Sequence, residues 1–112
     1  MQRASGRGLG AIVVVGLTAG CAAARADDID AGREKAQACA VCHGPLGVSV
    51  QPDAPNLAGQ PALYVRAQLR AYRSGERKHE VMSVMAKPLS DDDIAKLAAW
   101  FAAMRIEASA PR

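Results

Sequence analysis

The sequence predicts a small all-α domain, three main helices joined by one long loop. With 112 residues, the chain has room for a single domain. From residue 27 onward no alternating or β-branched run is available to build a sheet, whereas three segments carry helical start and stop signals. The third observation is the string Cys39-Ala40-Val41-Cys42-His43, which falls at the end of the first of these helices and opens the loop.

The N-terminus reads as a leader. Arg3 and Arg7 precede an apolar stretch, Leu9 to Ala19, and Ala24-Arg25-Ala26 forms an A-x-A site just before Asp27-Asp28, the layout of a secretory signal peptide spanning residues 1–26. Counted generously from Leu9 to Ala24, the apolar run has 16 residues, short of the roughly 20 that cross a ~30 Å hydrocarbon core. No transmembrane span is therefore expected in the mature form. A second cut competes, because Leu17-Thr18-Ala19-Gly20-Cys21 resembles a lipobox in which Cys21 would be lipidated; Thr18 stands where that motif prefers a larger aliphatic residue. Both cuts send the domain out of the cytoplasm.

The leader also explains the charge. Of 14 Lys and Arg residues, three lie in residues 1–26 with no acid beside them, leaving 11 basic and 11 acidic residues from residue 27 on. A basic excess confined to an export signal removes the argument for a nucleic-acid partner.

Ala31 to Val41 reads as the first helix, with Asp28 or Asp30 as a fair N-cap. Gly44, Pro45, Gly47, Pro52, Pro55 and Gly59 then break regular structure, so Gly44 to Gln60 is expected as a 17-residue loop, long for a compact domain unless something packs beneath it. Pro61 fits the first turn of a helix from Ala62 to Ser74, ended by Gly75, with Leu63, Ala67 and Arg70 on one side and Tyr64, Gln68, Ala71 and Tyr72 beside them. A linking stretch, Glu76 to Leu89, holds His79, Met82 and Met85. Ser90 and Asp93 form a capping-box-like pair that opens the last helix, whose stripe is Ile94, Leu97, Phe101 and Met104 with Trp100 alongside. Residues 107–112 are expected to be a flexible tail.

Four chemistries use a C-x-x-C pair. Zinc needs four ligands, and after cleavage the chain offers two Cys plus His43 and a distant His79. A thioredoxin-like dithiol needs a βαβ setting that is missing here. A disulfide across so short a loop restrains little chain entropy. Covalent haem attachment is the usual meaning of C-x-x-C-H in an exported protein, and it explains every position. Each thiol adds across one vinyl group to give a thioether, Cys39 and Cys42 reach the two vinyls of one haem edge, and His43 offers an imidazole nitrogen to the iron. Residues 27–112 contain only 22 large apolar side chains, so a macrocycle would also fill the centre of a marginal core and support the loop.

One axial position then remains, for which Met82, Met85 and His79 carry suitable donors. Two Met three residues apart do not generally both face one iron, so one is needed and one is spare. Here a resemblance adds to the residues. Cys39 to Gly44, Pro55-Asn56-Leu57-Ala58-Gly59-Gln60, Met82 through Asp91 and Ile94 to Phe101 together resemble the class I c-type cytochromes, small bacterial monohaem members and one half of two-haem periplasmic cytochromes above all. The resemblance implies the small cytochrome c fold, helices and loop wrapped around the haem, over residues 27–106. It implies Met82 as distal ligand, with Met85 as the alternative, and a Pro55 carbonyl that orients His43 through its other ring nitrogen, a common device for fixing a metal-bound imidazole. It also implies that first and last helices cross at a small residue, Gly32 or Ala36, against Leu97 and Trp100.

Iron with both axial sites filled by protein has no open position for substrate. The reading is thus a periplasmic one-electron carrier with one covalent haem c, not an enzyme. Its expected partners are redox proteins or a membrane oxidoreductase complex, and a homodimer is open. Two alternatives stay in view, a cytochrome subunit of a larger oxidoreductase complex and a five-coordinate haem sensor or peroxidase-like protein. Arg66, Arg70, Arg73 and Arg77 form a basic stripe that is either a solvated face or a contact for an acidic partner or the haem propionates.

Overall fold

The computed structural model describes residues 20–112, with side chains from residue 25 onward. Among these residues there is no strand. Five helices follow one another: α1 (Gly20–Lys35), α2 (Gln37–His43), α3 (Ala62–Ser74), α4 (Met82–Ala86) and α5 (Asp91–Ala103). The leader through residue 19 and the side chain of Cys21 lie outside the described residues.

The first helix departs from expectation at its start. Neither Asp28 nor Asp30 caps it, because α1 already runs from Gly20 through the Ala-rich stretch Ala22-Ala23-Ala24-Arg25-Ala26, whose helix propensity removes any free first turn at the aspartates. A single turn residue, Ala36, then separates α1 from α2. The chain barely deviates there: Ala36 keeps helical angles (φ −67°, ψ −10°), and the Cys39 amide tightens onto the Ala36 carbonyl at 2.9 Å.

Where α1 crosses α5, Gly32 meets the backbone of Lys96. A Cβ built on Gly32 would collide with the Lys96 carbonyl oxygen and come within 2.9 Å of Trp100 Cβ, so only glycine lets the two helices approach this closely. One turn on, Ala36 is buried against Leu97 and Phe101, and Cys39, Leu57, Leu69, Leu89 and Trp100 pack around that cluster. Fully burying each Leu, Ile or Phe of such a cluster contributes about 1.5–3 kcal/mol. The Trp100 indole Nε1 is buried there with no hydrogen-bond partner, a donor whose desolvation costs about 1–3 kcal/mol.

α5 forms as its sequence pattern dictates. Ser90 Oγ accepts from the Asp93 amide at 3.0 Å and Asp93 Oδ2 accepts from the Ser90 amide at 2.9 Å, a complete capping box. Ile94, Leu97, Ala98 and Phe101 are buried, while Met104 lies just past the helix end and is half-buried. α3 has the expected bounds, but its buried face is Val65 with Leu69 packed alongside; Leu63 and Tyr64 are exposed. The linking stretch is not all loop, since residues 82–86 wind into α4, which packs on α3 with Ala86 wholly buried.

Candidate haem site

The long loop holds itself together. Gly44 ends α2 with φ 80°, a conformation that favours glycine, and a Cβ there would strike the Val48 carbonyl oxygen. The chain turns back at once, so that the Leu57 and Ala58 amides both donate to the Gly47 carbonyl, at 2.7 and 3.0 Å. Asn56 Oδ1 accepts from the Ser49 amide at 2.7 Å, and Ser49 Oγ lies 3.2 Å from the Cys42 carbonyl. These bonds stitch both limbs of the loop to each other and to the C-terminus of α2. The far end is tied down as well, the Gly59 amide donating to the Phe101 carbonyl at 2.9 Å.

This stitching places Pro55 over the end of α2. Its carbonyl oxygen sits 2.8 Å from His43 Nδ1 and accepts the proton of that nitrogen. His43 is 7% exposed, and with the Nδ1 proton committed to a carbonyl, the ring's free lone pair is on Nε2. Cys39 and Cys42, three apart on α2, share one helix face; both are half-buried free thiols, and burial pushes the Cys39 thiol pKa up. Among the described residues, no three His, Cys, Asp or Glu side chains gather into a cluster that would hold a bare metal ion. Two thioether-forming thiols on one face, followed by a tethered imidazole, suit a covalently attached haem by the chemistry of the donors themselves.

The two methionines of α4 differ in setting. Met82 is half-buried, while Met85 is 40% exposed. His79, the third candidate donor, is exposed with Nδ1 accepting from the backbone amides of Val81 and Met82. The arginine stripe of α3 is mostly engaged with the fold. Arg73 donates to the Leu89 carbonyl at 2.8 Å and to Asp91 at 2.6 Å, Arg70 pairs with the same carboxylate at 3.5 Å, and Arg77 lies over the Tyr72 ring and donates to Gln68. The Arg73 and Arg70 guanidinium groups hold the Asp91 pKa below its usual value. A cavity of about 410 Å³ between α1, α3 and α5 is lined by Arg25, Asp28 and Arg66 among Ile29 and alanines; none of Cys39, Cys42, His43, Pro55 or Met82 borders it.

The roles of Ser49 and Asn56 were not legible in the sequence, because six residues of irregular loop lie between the partners. A signal for His79 did exist, since it stands three residues before Met82, the spacing at which a side-chain acceptor reaches a helix's first amides.

Helices crossing at a glycine, a loop folded over C-x-x-C-H and a methionine-bearing turn define a small covalent-haem protein. Comparison with known proteins agrees. The cytochrome c family model matches residues 29–105, and the chain belongs to that family. It is 44% identical over 79 residues to cytochrome c-554(548) of Halomonas halodenitrificans, covering 68% of this chain and 95% of that one. It is 45% identical over 67 residues to a thiosulfate dehydrogenase electron acceptor of Stutzerimonas stutzeri, covering 57% of this chain and 31% of the other. The crystal structure of reduced recombinant cytochrome c4 from Pseudomonas stutzeri superposes with a TM-score of 0.67 at 26% identity, covering 71% of this chain and half of that one. The chain thus spans nearly all of one relative and a third to a half of the other two. The protein is an electron-transfer cytochrome carrying one covalently bound haem c, and not itself an enzyme.

Proposed function

We propose that this chain is a periplasmic one-electron carrier whose haem is held by thioethers from Cys39 and Cys42 and ligated by His43 and Met82. The observation that carries the reading is the 2.8 Å bond from His43 Nδ1 to the Pro55 carbonyl, which fixes the ring and its tautomer and leaves Nε2 as the donor. Met82 is favoured over Met85 by its half-buried setting on α4. When bound, the haem would supply a one-electron ferric/ferrous couple, and ligation by a neutral thioether would raise its potential. The protein's own work is to keep that coordination the same in both oxidation states. The stitched loop holds His43 through the Pro55 carbonyl, and Met82 sits on α4; in this reading those two segments would hold the iron ligands.

Residues 1–26 act as the export signal in this reading, and cleavage after Ala26 leaves the acids Asp27, Asp28 and Asp30 at the new start of α1, where negative charge is favourable. Among the described residues no helix is long and apolar enough to cross a membrane. The likeness to a thiosulfate dehydrogenase electron acceptor favours a second, compatible reading, in which the donor is a dehydrogenase and the chain serves as its acceptor or subunit.

The test is chemical. Mature protein should keep its colour through acid-acetone extraction, give a c-type pyridine haemochrome and titrate reversibly as one electron. Rapid binding of carbon monoxide to the native ferrous protein would instead favour the five-coordinate sensor or peroxidase-like alternative.

A further inference from the structure

The helix that carries Met82 has five residues, too few to hold itself, since helix nucleation is unfavourable and most of its amides belong to the first turn. Its residue at the N-terminal boundary, Val81, offers no side-chain cap. Each amide of that turn can nevertheless be traced to an acceptor. The Val84 and Met85 amides both reach the Val81 carbonyl at 3.0 Å. All the others end on His79: its Nδ1 accepts from the Val81 and Met82 amides, each at 3.2 Å, and its carbonyl accepts from the Ser83 amide at 3.0 Å. Ser83 Oγ returns the contact by accepting from the His79 amide at 3.1 Å. This is the reciprocal logic of a capping box, built around an imidazole instead of a hydroxyl or carboxylate.

We infer that His79 is the positioning residue for Met82: its ring nitrogen fixes the backbone of Met82 and so the direction from which the thioether approaches the haem. The inference rests on Met82 as distal ligand, proposed above. His79 itself is exposed and takes no part in the buried core, so its contribution is confined to the acceptor it offers. A methionine on an uncapped turn spends more time away from its ligating position, and an external ligand then competes more easily for that position.

The experiment compares ferric haem-loaded wild type, His79→Ala, His79→Asn and Met82→Ala, reading the far-red charge-transfer band of methionine-ligated iron and the affinity for imidazole. Removing a helix cap shifts the local equilibrium by about fivefold. His79→Ala should therefore bind imidazole about fivefold more tightly than wild type, with a weakened far-red band. His79→Asn restores an acceptor favoured at helix starts and should stay within about twofold of wild type. In the wild-type protein the Val81 and Met82 amides should be protected from hydrogen exchange, a measurement that stands even where His79→Ala fails to mature. Wild-type imidazole affinity in His79→Ala, an Asn variant no better than Ala, or unprotected Val81 and Met82 amides would each overturn the inference. If Met82→Ala keeps the far-red band, the ligand assignment itself fails; if it loses the band while His79→Ala matches wild type, only the positioning role fails.

Discussion

Replacing Gly32 with alanine sets two effects of opposite sign against each other. Alanine is the better helix former by about 0.8–1 kcal/mol, so propensity alone predicts a more stable protein. The crossing predicts the reverse. The added methyl would collide with the Lys96 carbonyl oxygen and stand 2.8 Å from its carbon and 2.9 Å from Trp100 Cβ. These atoms belong to backbone or sit directly on it, so no flexible side-chain end can swing aside. Relief requires α1 to back away from α5, and a gap of about 0.5–1 Å already forfeits a quarter to a half of the dispersion energy of each contact it opens. The contacts at stake are those of Ala36, Leu97, Phe101 and Trp100. Overpacking of this kind costs about 1–3 kcal/mol. Taking the middle of both ranges, the net expectation is a loss of about 1 kcal/mol, a shift of roughly fivefold in the folded-to-unfolded ratio. Guanidinium titration of the haem-loaded protein, followed by fluorescence of Trp100, the single tryptophan, reads this as a lower midpoint at unchanged slope. A Gly32→Ala midpoint equal to or above wild type would refute the claim that this glycine is required by the approach of the helices.

Ser90→Ala removes one half of the α5 capping box and should cost about 1 kcal/mol in the same titration. Asp93 is held at a pKa of about 2, first by the Lys35 ammonium at 2.5 Å and then by the Ser90 amide and hydroxyl. A carboxyl depressed in the folded state favours folding above its unfolded pKa of about 3.9, and that contribution fades as pH falls toward about 2. Asp93→Asn should therefore be less stable than wild type at pH 5, with the difference closing near pH 2; a constant difference would count against the ion pair as its source. Arg73→Ala strips a partner from the Leu89 carbonyl and from Asp91, and should lower stability by about 0.5–1.5 kcal/mol, more than Arg70→Ala, whose contact with Asp91 is longer and exposed.

The sequence reading and the structure part at identifiable places. α5 was legible to its cap because Ser90, Asp93 and the apolar stripe are local signals that the fold does not override. Cys39, Cys42 and His43 lie together at the end of one helix, the placement their C-x-x-C-H spacing led the sequence reading to expect. The buried face of α3 was not, since Val65 and Leu69 are chosen by what α5 presents to them, and nothing within the helix ranks them above Leu63. The turn at Ala36 has no breaker in the sequence, and Ala36 is buried there against Leu97 and Phe101. Within the loop, the Gly47 carbonyl and the Asn56 side chain tie the two limbs together through bonds that leave no periodic trace in the sequence. The arginine stripe reads as a free basic face until Asp91 and the Leu89 carbonyl, far along the chain, are brought against it.

The central claim is that one haem c is held between His43 and Met82. Its most direct test is the optical spectrum of the ferric protein with each methionine replaced in turn. The far-red charge-transfer band should be present in wild type and Met85→Ala and absent in Met82→Ala. Loss of the band in Met85→Ala with its retention in Met82→Ala would contradict the assignment.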